Sequence, residues 1–370
     1  MWYSEINMLR GIAIISVISI HISSCFKTMQ ISPISMIYLS INCFSHFAVP
    51  CFIIITGFVL FNKYKHFNKK DAIQFYNVHL PFLVIPYLTF SILFLIERLV
   101  VSRFLQLPFI PIQGIVYNFF TGSMWYHLWF FVLILQLYLI YPISICVFNR
   151  LSTTFLKFGL YFVLYIFSIS FFLFRDLFTH IPGINLNSLF MNLPVIGYLP
   201  FLFIGMEFNC NYIKYCEILV NLNSNLKKKS MIYLFVLISL SMYCLYYGYM
   251  YLPIIINFNP AFLIFLLPLL FIIVSIFFLN ICSNITRDSR ISMILNRLGD
   301  YSFGIYLIHP IILLILDQII KIGTLSFIRD FFWYYPVLMI TCISLSFYIC
   351  KIIILIPYGK NMIGVKGYSE

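Results

Sequence analysis

EINMLRGIAIISVISIH, residues 5–21, begins at Glu5 and is an apolar run that carries two further ionisable side chains, Arg10 and His21. At about 100° per residue, eleven steps return to within about 20° of the starting direction, roughly three turns and 16 Å along a helix axis. Both side chains therefore share one face. A charged group inside a bilayer is costly, about 2.5 to 3.5 kcal/mol for a central Arg on insertion scales, and usually faces a protein interior or a watery cavity. This helix is expected to line a site. Arg10 taken alone fits snorkelling to headgroups equally well, whereas His21, in the outer half of the bilayer, has no such exit.

The rest of the chain has the same character. Hydrophobic residues make up 62%, aromatics 20% and charged residues 9% of 370 residues, with a mean hydropathy of +1.00. A soluble globule carries about 25% charged residues, so that class is excluded. Apolar stretches near the length needed to cross a hydrocarbon core of about 30 Å recur throughout. Ten are read, at roughly 8–26, 34–61, 77–96, 124–148, 155–174, 194–208, 230–250, 261–281, 301–320 and 331–356, the sixth being short. The expected fold is all-α and polytopic, one transmembrane domain over residues 1–370 with no appended soluble domain. The longest outside loops, about 97–123 and 175–193, contain Pro108, Pro111, Pro182 and Gly183, which suggest defined turns.

The net charge of +12 does not indicate nucleic acid, because the basic residues follow topology. With an inside N terminus and ten spans, seventeen of the 23 Lys and Arg residues fall inside and six, Lys27, Arg98, Arg103, Arg175, Lys321 and Arg329, outside. That is the positive-inside bias, and it predicts that both termini are cytoplasmic. A basic cytoplasmic side would also concentrate an anionic substrate. The first apolar stretch shows no small-residue cleavage pattern and reads as a retained helix. Ten Cys lack CxxC spacing, and most, such as Cys25, Cys43, Cys51, Cys146, Cys244 and Cys342, sit in expected spans. They read as buried free thiols, with no metal site expected. The absence of an internal sequence repeat argues against the repeat-built transporters.

Three further polar islands interrupt the apolar background. MWYHLWFFVLILQLYLIYP, residues 124–142, sets His127 among Trp125, Tyr126 and Trp129, either an interfacial belt or the wall of a binding site. GDYSFGIYLIHP, residues 299–310, puts Ser302, Tyr306 and His309 at spacings of four and three, near one helix face. Ser302 could equally satisfy its hydroxyl on its own backbone. HFAVPCFIIITGFVLF, residues 46–61, holds Pro50 and Gly57, expected to produce a kink or a close helix contact.

Imidazole exchanges a proton near neutral pH and suits general-base work on a hydroxyl. Arg suits phosphate, through paired charge-assisted hydrogen bonds. A phosphate-bearing donor from the cytosol meeting a hydroxyl acceptor at depth would use both, which is acyl transfer at a membrane.

Several segments, in order along nearly the whole chain, resemble the acyltransferase 3 family of integral membrane acyltransferases. They are Glu5, Arg10, Gly11 and His21; Pro50 with TGF; HLWF followed by YLIYP; FLFIGMEF at 201–208; and YSFGIYLIHP. The resemblance implies about ten helices and transfer of acetyl, or sometimes succinyl, from cytosolic acyl-CoA to hydroxyls of surface glycans or lipid-linked precursors. It implies CoA phosphate contact for Arg10 and a catalytic role for His21. His127 and His309 follow as further catalytic candidates, with Trp125, Tyr126, Trp129, Ser302 and Tyr306 as candidates for acceptor binding. The resemblance places the protein in a bacterial plasma membrane, with no permanently bound cofactor. Vectorial export of a glycan or small solute, or a sensor that has lost donor binding, are the rival expectations.

The chain departs from the family pattern in three places. Asn7 stands where an acidic residue is usual, so a charge partner for Arg10 must come from elsewhere, Glu5 being one candidate. Thr56 replaces Ser and keeps the hydroxyl. In YNVHLPFLVIPY, residues 76–87, Asn77 and His79 stand where Arg or Lys is usual, leaving Lys69 and Lys70 as candidate donor-binding replacements.

Overall fold

A computed structural model describes residues 3–24, 33–104, 111–151, 153–177, 194–215, 217, 261–322, 328, 331 and 333–364. Its helices are α1 (Ser4–Ser24), α2 (Pro33–Ser45), α3 (Ala48–Lys63), α4 (Lys69–Phe104), α5 (Ile112–Thr121), α6 (Trp129–Arg150) and α7 (Thr154–Leu177). They continue as α8 (Val195–Cys210), α9 (Ala261–Asn284), α10 (Arg290–Asp300), α11 (Ser302–Ile322), α12 (Tyr334–Ile354) and α13 (Gly359–Met362). Among the described residues, 8 helical stretches are long and apolar enough to cross a membrane, and α8 is a shorter apolar helix. The protein is thus an all-α polytopic membrane protein. The stretch read at 230–250 lies outside the described residues.

Proline chemistry explains where the second span breaks. It is two helices, α2 and α3, separated by a turn at His46 and Phe47. Pro50 has no amide hydrogen for the His46 carbonyl, so the regular ladder cannot run through this point. The chain re-enters a helix with the Cys51 amide donating to the Phe47 carbonyl at 2.9 Å. The other expectation for this segment, a close helix contact, holds at Gly57, where any Cβ would strike the backbone carbonyl of Leu202.

Helix extends beyond both ends of the expected 77–96 span and into the expected 97–123 loop. α4 has 36 residues, about 54 Å at 1.5 Å per residue, well beyond a hydrocarbon core of about 30 Å. Its start carries a reciprocal cap: Asp71 Oδ2 accepts from the Asn68 amide at 3.0 Å and Asn68 Oδ1 from the Asp71 amide at 2.9 Å. α5 occupies part of the expected 97–123 loop, starting after Pro111 and ending at Gly122, whose φ of 74° suits a residue without a Cβ. Pro108, Pro182 and Gly183 lie outside the described residues.

The chain divides into two compact units, residues 1–55 with 207–357, and residues 56–206 with 358–370. In the first, α1 is central, packing against α2, α9, α10, α11 and α12. Its expected Arg10/His21 face is one of two polar faces. Ser16, Ser19 and Ser23 form another, on which Ser19 hydrogen-bonds the Tyr335 hydroxyl and Asn42 Nδ2 donates to Ser23 Oγ at 2.8 Å. A helix surrounded by protein can be polar on two sides. In the second unit α4 and α5 pack on α6, and α13 on α4. Among the described cysteines, Cys43, Cys51, Cys282, Cys342 and Cys350 are buried free thiols, whereas Cys146 and Cys210 are exposed.

Candidate active site

The entry of α1 into the first unit is fixed by contacts with the α10–α11 corner. Gly11 faces Leu295 and Gly299 faces Asn7 so closely that a Cβ on either glycine would collide with the opposing backbone carbonyl. Asn7 Nδ2 donates to the Asn296 carbonyl at 2.9 Å and to Asp300 Oδ1 at 2.8 Å. Asn296 Nδ2 in turn donates to Ser4 Oγ at 2.9 Å. The departure at position 7 thus has a local reason: a carboxylate there would face the carboxylate of Asp300. Glu5 accepts a hydrogen bond from Tyr212, whose ring also meets Tyr3 edge-on.

Arg10 and His21 are both half-buried on a helix whose other residues are mostly enclosed. At the His21 level, α11 supplies His309, completely buried, with its ring stacked on His21 at a centroid distance of 5.2 Å and an interplanar angle of 27°. Tyr306 meets His309 edge-on at 5.8 Å, and Ser302 is also buried. His309 Nδ1 lies 3.1 Å from the Ile305 carbonyl oxygen. A carbonyl only accepts, so Nδ1 carries the hydrogen, and in the neutral ring Nε2 is the nitrogen with the lone pair. Pro310 follows directly and cannot supply the amide hydrogen that the Tyr306 carbonyl takes in a regular helix. The backbone around His309 is therefore specialised, and the Cys342 thiol points at the His309 carbonyl at 3.8 Å.

The remaining candidates belong to the second unit. His127 is buried in the turn before α6, not on the helix itself, because α6 begins only at Trp129. Phe94 meets it edge-on at 5.4 Å and Tyr126 at 5.6 Å. Trp125 stacks on Phe94 at 4.7 Å and 12°, while Trp129 turns to Tyr198 at 6.1 Å. Tyr126 is exposed. Lys69 and Lys70 open α4, Lys70 exposed. Asn77 is exposed too, but His79 is enclosed, with Nε2 3.0 Å from the Tyr64 hydroxyl and its ring beside Phe75 and Tyr138. This aromatic enclosure escaped the sequence reading, although Phe75, His79, Tyr138 and Tyr141 stand at helical spacings on α4 and α6.

No curated protein and no solved structure matches the chain. The sequence pattern of an acyltransferase domain, that of the acyltransferase 3 family, matches residues 3–351, which includes the Arg10/His21 helix, the His127 turn and the His309 helix. With its apolar helices, its paired imidazoles and this match over nearly its full length, the chain belongs to the acyltransferase 3 family of membrane acyltransferases.

Proposed function

We propose that this protein is an O-acyltransferase of the bacterial plasma membrane that moves an acetyl group from cytosolic acetyl-CoA to a hydroxyl of a surface polysaccharide or its lipid-linked precursor. The observation that carries this reading is the stacked His21/His309 pair on two helices within the family match. Arg10, about 16 Å along α1 from His21, binds donor phosphates, and the long pantetheine arm carries the thioester toward the imidazoles. Lys69 and Lys70 add to donor binding, since Asn77 is neutral and His79 is enclosed among aromatic rings. Both termini face the cytoplasm, on the strength of the basic-residue distribution.

In the reaction His21 takes the proton of the acceptor hydroxyl as its oxygen attacks the thioester carbonyl. The C–S bond breaks, the proton passes to the departing thiolate, and the products are the O-acetyl ester and CoA thiol. His309, whose ring stacks on that of His21, holds the base in place or relays the proton. His127, Trp125, Tyr126 and Trp129 contribute to acceptor binding, as do Ser302 and Tyr306. The test is glycan mass spectrometry on cells with the gene deleted and then complemented. An acyl mass increment lost on deletion, restored by wild type and not by a normally inserted His21→Ala protein, is the expected result. Unchanged acylation with glycan retained in the cell would overturn it in favour of export.

A further inference from the structure

We propose that α10 is an in-plane membrane helix whose arginine face binds the phosphates of anionic phospholipids in the leaflet next to the α1 N terminus. The inference does not depend on the transferred group or the acceptor. α10 has 11 residues, about 16 Å, too short to cross a core of about 30 Å. It lies between two apolar spans, α9 and α11, and its inner face holds the first turns of α1 through Asn7, Gly11, Asn296 and Asp300. It is thus confined to the membrane surface at the end of α1 that carries Arg10.

The outward face matches that location chemically. Ser292, Leu298 and Gly299 are buried, while Arg290, Arg297, Ile291, Met293 and Ile294 are exposed. Arg290, Ile294 and Arg297, at spacings of four and three, are neighbours on one strip. Arg287 and Asp288 are exposed in the preceding turn, so the face carries three positive charges against one negative. Aliphatic side chains flanked by guanidinium groups form the pattern of a helix seated at the headgroup boundary, apolar groups in the acyl region and cations on phosphate. Ser289 Oγ fixes the start of the helix by accepting from the Ser292 amide at 3.1 Å, so the face is presented by ordered backbone.

The experiment replaces Ile294 with the photoreactive p-benzoylphenylalanine in the full-length protein, reconstituted in vesicles of phosphatidylglycerol and phosphatidylethanolamine. Adducts are identified by mass spectrometry. Phospholipid adducts enriched several-fold in phosphatidylglycerol over its bulk fraction are expected. Arg287→Gln/Arg290→Gln/Arg297→Gln should abolish the enrichment, and the three corresponding Lys substitutions should retain it, which separates charge from folding. Adducts at the bulk lipid ratio would overturn the anionic preference. No lipid adduct, or adducts only to a protein when the experiment is repeated in native membranes, would overturn the in-plane placement.

Discussion

The imidazole rings of His21 and His309 stack 5.2 Å apart although they come from opposite ends of the chain. One ring is half-buried and the other completely enclosed. The accessible ring suits contact with substrate, and the enclosed one suits holding its partner's geometry and exchanging its proton.

His309→Asn and His309→Gln separate the two nitrogens of the enclosed ring. Asn places an amide near Nδ1 and can keep the bond to the Ile305 carbonyl, whereas Gln reaches the Nε2 position. If Nε2 carries a proton in turnover, both variants fold but lose acyl transfer by about 10²-fold or more, since neither amide titrates. Initial rates with detergent-stability controls check this. An Asn variant with wild-type rate would assign His309 a purely architectural role.

Asn7→Asp should destabilise the protein, because it removes the donor that satisfies Asp300 and sets two carboxyl groups together. The expected loss is about 1 to 3 kcal/mol. Asp300→Asn in the same chain should restore much of it. Thermal unfolding of the four proteins of the double-mutant cycle gives the coupling.

Gly11→Ala and Gly299→Ala each place a methyl group against a backbone carbonyl, which cannot rotate away as a side-chain tip can. Each should cost about 1 to 3 kcal/mol, with a lower unfolding temperature and reduced insertion yield. Gly159→Ala, where nothing lies within 4 Å of the added carbon, is the matched control.

Asn77→Arg and His79→Arg should behave in opposite ways. Position 77 is exposed, so a new guanidinium there should lower the KM for acyl-CoA, with a benefit that fades as salt rises. Position 79 is enclosed by Tyr64, Phe75 and Tyr138, so the same charge there should disrupt packing and lower expression. Acyl-CoA titration and yield in membranes distinguish the two.

Much of this architecture is visible in sequence because a bilayer demands long apolar helices, and the Arg10/His21 register follows from helical period alone. The stacking of His21 with His309 does not, since no local pattern specifies which distant helices meet. α10 is short and polar on average, so a search for spans passes over it, although Ser289 and the spacing of its aliphatic residues are a usable start signal. The break at His46 is legible only from the amide that Pro50 lacks, displaced four residues from the proline itself. His79 stands in sequence only as a departure from a basic position, and its enclosure depends on Tyr64 and on Tyr138 of α6, partners that local sequence does not specify.

The hydrogen bonds that seat Asn7 reach 289 and 293 residues along the chain, and this separation sets a schedule for synthesis. At about 5 to 20 residues per second, α1 enters the membrane roughly 15 to 60 s before α10 and α11 exist to receive it. Throughout that interval Arg10, Asn7 and His21 face lipid, water or an insertion factor instead of their final neighbours. The helix that carries Arg10 and His21 is the first made and among the last to be housed, so chains terminated before α10 should be the ones the cell's membrane proteases remove.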